Sequence, residues 1–500
     1  MLELSATTRD RHLEAMADRV VDVLVIGGGI TGAGVALDAA SRGLSVALVE
    51  RDDFASGTSG RSSRMIHGGA RYLRQGAVGL VYESLRERRL LLRRAPHLVR
   101  PLPFLLPVRR RTGRIVFRAG LSLYDTLTAG RNIAPHRGVS EEEVARLAPG
   151  LARPGPGLLY WDCQTDDARL VIEIIRRAVA LGALVANRAE VIGLTGEGTV
   201  RGGSVADRMG GGSIEIKARV TVNATGAWAG QVHALADPKP PRLRPSKGIH
   251  LVLDRARLPI RSAVVIPSIA HRGAMFVMLP WGPRVYVGPT DTPYDGPIDS
   301  PAVDDDDVAV VLGSVERAFP HGFEPSDVMA SWAGVRPLLD SGPGATRDLS
   351  RRHVILKEPP GLITVTGGKL TTYRSMAEEV TDIACEFLRG GDECGTARLP
   401  LGLTGPLPRA TAEAELEAGK LGLPPGAGKR LVERYGDDRQ EAAAMIREDA
   451  SLGEPAAPGL PVLRVELELA RSREMALTDE DVLVRRTRLA LMGAPKPPGD

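Results

Sequence analysis

The chain has 500 residues, of which 43% are hydrophobic and 25% charged, and its formal net charge is +4. That length exceeds what one core usually fills, so two or three domains are expected. The composition excludes a disordered or fibrous protein, and so small a net charge gives no argument for nucleic acid as a partner. The first twenty residues are charged throughout and hold no apolar h-region, and no apolar run approaches the roughly eighteen residues of a spanning helix. A cytoplasmic protein is therefore expected, with attachment to a membrane surface left open. Cys163, Cys385 and Cys394 lack CxxC spacing, which argues against disulfides, zinc and iron–sulfur clusters. No metal site is expected, and redox chemistry would need an organic cofactor. Arg outnumbers Lys 57 to 8, so a Lys inside a motif is more informative than usual.

The first predicted unit is VDVLVIGGGITGAGVALDAASRGLSVALVE, residues 21–50. Its near-continuous apolar start reads as a parallel strand covered on both faces. Gly27, Gly29 and Gly32 form GxGxxG where that strand must turn into a helix, with Ile30 and Thr31 at the helix start. Bare backbone there can approach a pyrophosphate, and the helix N-terminus offers N–H groups and positive dipole. A second strand ends at Glu50, whose carboxylate can accept hydrogen bonds from both ribose hydroxyls. The fold class is α/β with a nucleotide-binding unit at its start.

From Arg86 to Leu121 the chain carries eleven arginines and one acid among Leu, Val, Phe and Pro. This stretch could lie against anionic headgroups. Val78, Val81, Leu85 and Leu92 recur at helical spacing, so its start also reads as an amphipathic helix packing on a domain.

VTVNATGAWAG, residues 220–230, reads as a strand ending at Thr225 and Gly226, and GLITVTGGKLTTYRSMAEEV, residues 361–380, as a strand, a Gly367–Gly368 turn and a helix. Both return to the first sheet. A helix N-terminus facing the pyrimidine end of a flavin would stabilise the negative charge gained on reduction, which favours FAD over a nicotinamide. The run Asp304–Asp307 lacks the spacing of a calcium loop and reads as a solvated helix start.

These words, together with SSRMIHGGARYL (62–73), DDARL (166–170), SKGIHLVL (246–253), GPTDT (288–292), GVRPL (334–338), TRD (346–348) and GGKLTTYR (367–374), resemble the FAD-dependent glycerol-3-phosphate dehydrogenase family. They stand in family order from about residue 20 to 380. The last hundred residues resemble the family's helical C-terminal domain more loosely, through VERYG and DEDVLVRRT.

The resemblance implies a Rossmann-like FAD-binding domain of the glutathione-reductase and D-amino-acid-oxidase type, expected at 20–95, 155–240 and 335–390. An antiparallel-sheet substrate domain is expected at 96–154 and 241–334, and a helical C-terminal domain at 400–500. It also implies oxidation of sn-glycerol 3-phosphate to dihydroxyacetone phosphate, with electrons passed to a membrane quinone from a peripheral position. A homodimer is left open.

Ser62, Ser63, His67, Gly68, Gly69, Gly368, Leu370 and Thr371 join the candidate FAD site. Arg71, Tyr72, Arg336 and Arg347 are the candidate substrate residues, since a buried phosphate calls for guanidinium groups that donate bidentately. His250 is the leading candidate for the base that takes the hydroxyl proton. Lys369 could orient substrate oxygen or compensate charge on reduced flavin, and Arg336 is grouped with both as a catalytic candidate. The rival readings are an oxygen-using glycerophosphate oxidase, an amine or amino-acid oxidase of the same fold, and a nucleotide-binding regulator without turnover.

Overall fold

The structure, a computed structural model, describes residues 3–128, 130–270, 273–340 and 352–494. Its first sheet runs His353–Leu356, Leu362–Gly367, Ser213–Asn223, Val21–Ile26, Val46–Val49, Leu184–Ala186. The last five of these are mutually parallel, and His353–Leu356 is an antiparallel edge. Ala189–Leu194 and Gly202–Asp207 extend the start of Ser213–Asn223 as an antiparallel meander. Val21, Val23, Leu24 and Val25 are wholly buried, with separate apolar clusters on the two sides of the sheet. This two-sided cover is what the unbroken apolar run encodes.

Helix Ile30–Ser41 packs between helices Asp167–Ala180 and Tyr373–Leu388. Its small residues set the distances. A Cβ on Gly32 would fall 1.9 Å from the Gly27 carbonyl oxygen, and one on Gly34 would fall 2.8 Å from the Tyr373 ring.

The second sheet is mostly antiparallel and is built around Leu243–Asp254, which pairs with Ala330–Leu339 along ten positions. Two strands sit differently from the sequence expectation. Gly157–Gln164 was expected with the FAD domain but pairs with Arg100–Pro107 and belongs to the second sheet. It spans both cores, with Leu159 in the core of the second sheet and Cys163 in that of the first, so its apolar pattern fits either. Ala330–Leu339, expected to split at residue 335, lies whole in the second sheet.

Helix Val78–Arg94 buries Leu80, Val81, Leu85 and Leu91, whereas Val78 is exposed. The buried face is turned by two charged residues. Glu87 takes a double hydrogen bond from Arg374 at 2.7 and 2.8 Å, and Arg88 pairs with Asp162. The acidic run 304–307 does open a helix, Asp305–Ala318, with Asp304 as its cap and Lys247 bonded to both Asp304 and Asp307 at 2.6 Å.

Helices Leu407–Lys420, Ala427–Tyr435, Arg439–Glu448 and Arg464–Arg473 form the C-terminal region with its own small core. Ion pairs tie it to the first sheet domain. Asp53, wholly buried, accepts from Arg485 Nε at 2.6 Å and from Arg486 Nη1 and Nη2 at 2.7 and 2.8 Å. Burial alone would raise the Asp53 carboxyl, yet Arg486 and Arg485 hold it down to about 2.

Gly34→Leu should wedge helix Ile30–Ser41 away from Tyr373 and Ala377. Overpacking of this kind costs about 1–3 kcal/mol, and chemical denaturation of the variant should register the loss.

Candidate active site

At the carboxyl edge of the first sheet lies a cavity of about 430 Å³. Gly27, Gly29, Ile30 and Thr31 form one wall, Glu50 another, and Thr225–Trp228 and Gly367–Leu370 close the far side. Three strand ends meet here because Val21–Ile26 and Leu362–Gly367 both run parallel to Ser213–Asn223. Gly27 has φ +109°, and a Cβ there would stand 2.8 Å from the Ala224 carbonyl oxygen. Only glycine tolerates both conditions.

Helix Ile30–Ser41 presents its N-terminus to the cavity with Gly29 as cap, no side-chain capping bond and no acid in its first turn. Its positive end is left for an anion. Ser59, which the sequence reading passed over, receives the Ile30 N–H at 2.9 Å. The Glu50 carboxylate accepts from Gly28 N–H at 2.6 Å and Asp52 N–H at 2.9 Å. Burial pushes Glu50 up to about 6 in spite of these two donors. A bare-backbone cradle, a helix N-terminus without an acid in its first turn and a carboxylate at the next strand end fit the pyrophosphate and ribose of FAD.

The candidate residues fall into three groups. Gly27, Gly29, Ile30, Thr31, Glu50, Ser62, Thr225, Gly226, Gly368, Lys369 and Leu370 line the cavity. Gly32 serves helix-to-strand contact, while Thr371 Oγ1 accepts the His67 N–H at 3.1 Å and locks that loop to the Lys369 turn. Gly68 N–H is held by Tyr124 Oη at 2.9 Å and Asp162 Oδ1 at 3.1 Å. A Cβ on Gly69 would meet the Tyr72 ring at 2.4 Å.

A second group gathers around Lys369, the one of its members that lines the cavity. Lys369 Nζ lies 4.0 Å from the centre of the Tyr72 ring, and the Arg71 guanidinium lies 4.9 Å from the same ring. Lys369 also donates to Ser84 Oγ at 3.3 Å. Two cations on one aromatic ring form a strongly positive corner.

The third group lies on the paired strands of the second sheet. Arg336 crosses over Gly248, where a Cβ would collide with the guanidinium at 2.2 Å. It donates to the Thr290 carbonyl at 3.0 Å and to Ser246 Oγ at 3.3 Å. His250 stands outside the cavity wall. It is buried, stacked on Trp332 at 4.7 Å, with Nε2 3.0 Å from Ser63 Oγ. Burial first, and then Arg336 and Arg64, hold it well below the ordinary imidazole range. Arg347 lies outside the described residues.

Residues 22–382 match the family model described as FAD dependent oxidoreductase, and residues 388–496 match the C-terminal domain of alpha-glycerophosphate oxidase. The chain belongs to the FAD-dependent oxidoreductase family, and FAD is its cofactor. Within it, the chain is a relative of proteins named glycerol-3-phosphate dehydrogenase. Glycerol-3-phosphate dehydrogenase 1 of Mycobacterium tuberculosis is 40% identical over 518 residues, covering 98% of this chain and 95% of that protein. Glycerol-3-phosphate dehydrogenase 2 of the same organism is 39% identical over 484 residues, covering 94% and 81%. The glycerol-3-phosphate dehydrogenase of Bacillus halodurans, solved in complex with FAD, superposes with a TM-score of 0.80 at 33% identity, covering 98% of this chain and 90% of that one.

Below about pH 6 the Glu50 carboxyl of the FAD-free protein is protonated. If ribose hydroxyls bind the ionised form, that proton must leave on binding, so FAD affinity should fall by up to about tenfold per pH unit below that point. Calorimetric titration of deflavinated protein from pH 5 to 8 should register this slope, and Glu50→Gln should flatten it.

Proposed function

We propose that the protein oxidises sn-glycerol 3-phosphate to dihydroxyacetone phosphate and passes the electrons to a membrane quinone. The observation that carries this reading is Arg336, held by the Thr290 carbonyl and Ser246, on a strand whose next residue, Pro337, lines the FAD cavity. A guanidinium pinned before substrate arrives loses little entropy on binding a phosphate. The corner formed by Arg71, Tyr72 and Lys369 adds positive charge where the oxygens of a small phosphate ester would be held. Arg347, from the matching TRD word, is a further phosphate candidate.

FAD, held by the Gly27–Thr31 turn, Glu50 and the Gly367–Leu370 turn, would supply the acceptor for a hydride from the secondary carbinol carbon. The protein must remove the hydroxyl proton. Burial, with Arg336 and Arg64 nearby, favours the neutral form of His250, and its Nδ1 has no hydrogen-bond partner among the described residues. A base held so far below its usual pKa stays unprotonated well into acid, so the acid limb of the kcat profile should lie below pH 6.5. Lys369 at the turn before helix Tyr373–Leu388 compensates negative charge built up on reduction.

The quinone reading is supported by helix Arg111–Thr126. Ile115 and Val116 on this helix are 62% and 71% exposed, Phe117 and Leu123 are also exposed, and Arg109, Arg110, Arg111 and Arg118 surround them. Exposed apolar side chains flanked in sequence by exposed arginines suit the interface of an anionic bilayer. Among the described residues no helix is long and apolar enough to cross a membrane.

Anaerobic addition of sn-glycerol 3-phosphate should bleach the flavin, whereas glycerol and D-amino acids should not; no bleaching by the phosphate ester would remove the proposal. Arg336→Gln should raise KM by about a hundredfold with FAD content intact, as expected for losing a charge-assisted pair of hydrogen bonds. The double variant Ile115→Asp/Val116→Asp should cut cosedimentation with anionic vesicles while leaving flavin bleaching in solution unchanged.

A further inference from the structure

One of the side chains by which the C-terminal region reaches toward the cavity wall is Arg488. Arg488 is wholly buried at the end of the DEDVLVRRTR segment. Its Nε and Nη2 donate to Asp166 Oδ1 at 3.0 and 2.8 Å, and Nη2 also donates to Asp167 Oδ1. Nη1 donates to the Gly60 carbonyl at 3.2 Å and to the Val484 carbonyl at 3.1 Å.

Each of the cavity-side partners holds a wall element. Asp167, also wholly buried, uses Oδ2 to accept the Ser62 N–H at 2.9 Å and the Ser62 hydroxyl at 2.7 Å. Gly60 closes the short turn Thr58–Gly60, whose Thr58 and Ser59 line the cavity with Ser62. Thr58 Oγ1 donates to the Val335 carbonyl at 2.6 Å, next to Arg336, and Ser59 receives the Ile30 N–H. One guanidinium therefore fastens the turn and the serine on the same wall, from a position more than 300 residues away in sequence.

We propose that Arg488 is a positioning residue for the FAD site, fixing Ser62 through Asp167 and the Thr58–Gly60 turn through the Gly60 carbonyl. The C-terminal region then completes the cofactor cavity and is more than an appended module. The planar fork is what the task requires: it serves two carboxylates and two carbonyls in directions that an ammonium on a flexible stem cannot match together. Other ion pairs dock the same region without touching the cavity wall. Arg176 to Asp438 is one, and it supplies the comparison.

This proposal rests on reading the cavity as the FAD site, which Gly27→Val tests separately. FAD binding unchanged in Gly27→Val would remove that reading whatever Arg488 does. With wild-type protein and the variants Arg488→Lys, Ser62→Ala, their double and Arg176→Lys, FAD affinity is measured on deflavinated protein by flavin fluorescence quenching. Thermal unfolding and hydrogen exchange at residues 58–63 are followed in parallel.

Arg488→Lys and Ser62→Ala should each weaken FAD by about tenfold, as for one charge-assisted hydrogen bond, and the double should be little weaker than either alone. Exchange at 58–63 should quicken in Arg488→Lys. Arg176→Lys should lower the Tm with affinity and exchange at 58–63 unchanged. The proposal is overturned if Arg488→Lys lowers the Tm alone, or if the two losses multiply in the double. Should Arg488→Lys fail to accumulate, Asp167→Asn is read by the same criteria, because it keeps an acceptor for Ser62 while weakening the bond from Arg488.

Discussion

The site depends on one close approach, that of Gly27 to Ala224 at the ends of neighbouring parallel strands. A side chain at position 27 would press on the Ala224 carbonyl oxygen at 2.8 Å, and the strands could not keep their register. With that register kept, Val25 stands opposite Val222 and Leu48, so three strand ends arrive together. The Gly29 cap, the Glu50 carboxylate and the Thr225–Gly226 turn are then neighbours around one cavity. Gly32 carries the same constraint to the helix, whose first turn lies against the Gly27 carbonyl.

Around this centre the interior is unusually rich in guanidinium. Arg64 is buried between Trp281 and Trp332, with ring centres 4.0 and 4.5 Å away, and none of its guanidinium nitrogens has a hydrogen-bond partner among the described residues. Burial, with Arg488 nearby, brings it down to about 10. Arg488 is the opposite case, with every donating direction met by an oxygen. Buried ion pairs add little net stability over apolar packing of the same shape, but breaking one leaves an uncompensated charge costing about 3–5 kcal/mol.

Local backbone rules made the nucleotide half of the site legible in the sequence. GxGxxG between an apolar strand and a helix, with Glu50 closing the next strand, needs only positions close in the chain. Arg71, Tyr72, Arg336 and Lys369 became candidates through the family words rather than through spacing, since Lys369 meets Tyr72 and Ser84, and Arg336 meets Ser246 and Thr290, only across long stretches of chain. The burial of His250 against Trp332 depends on the register of Leu243–Asp254 with Ala330–Leu339, which periodicity does not fix. Strand Gly157–Gln164 was misplaced because it is apolar toward both cores. Arg485, Arg486 and Arg488 were hidden by composition: among 57 arginines no local signal separates the thirteen that are buried among the described residues from the rest. Ser59 sat in a run of small polar residues that reads as an ordinary loop.

The pairing of Asp53 with Arg485 and Arg486 spans 432 and 433 positions. A ribosome therefore finishes the Gly27 turn and both strands around it long before the residues that neutralise Asp53 have been made. Until they emerge, Asp53 lacks both of the guanidinium groups that hold its carboxyl down in the folded chain. The segment after Glu50 therefore gains its counter-ions only from residues made more than 430 positions later.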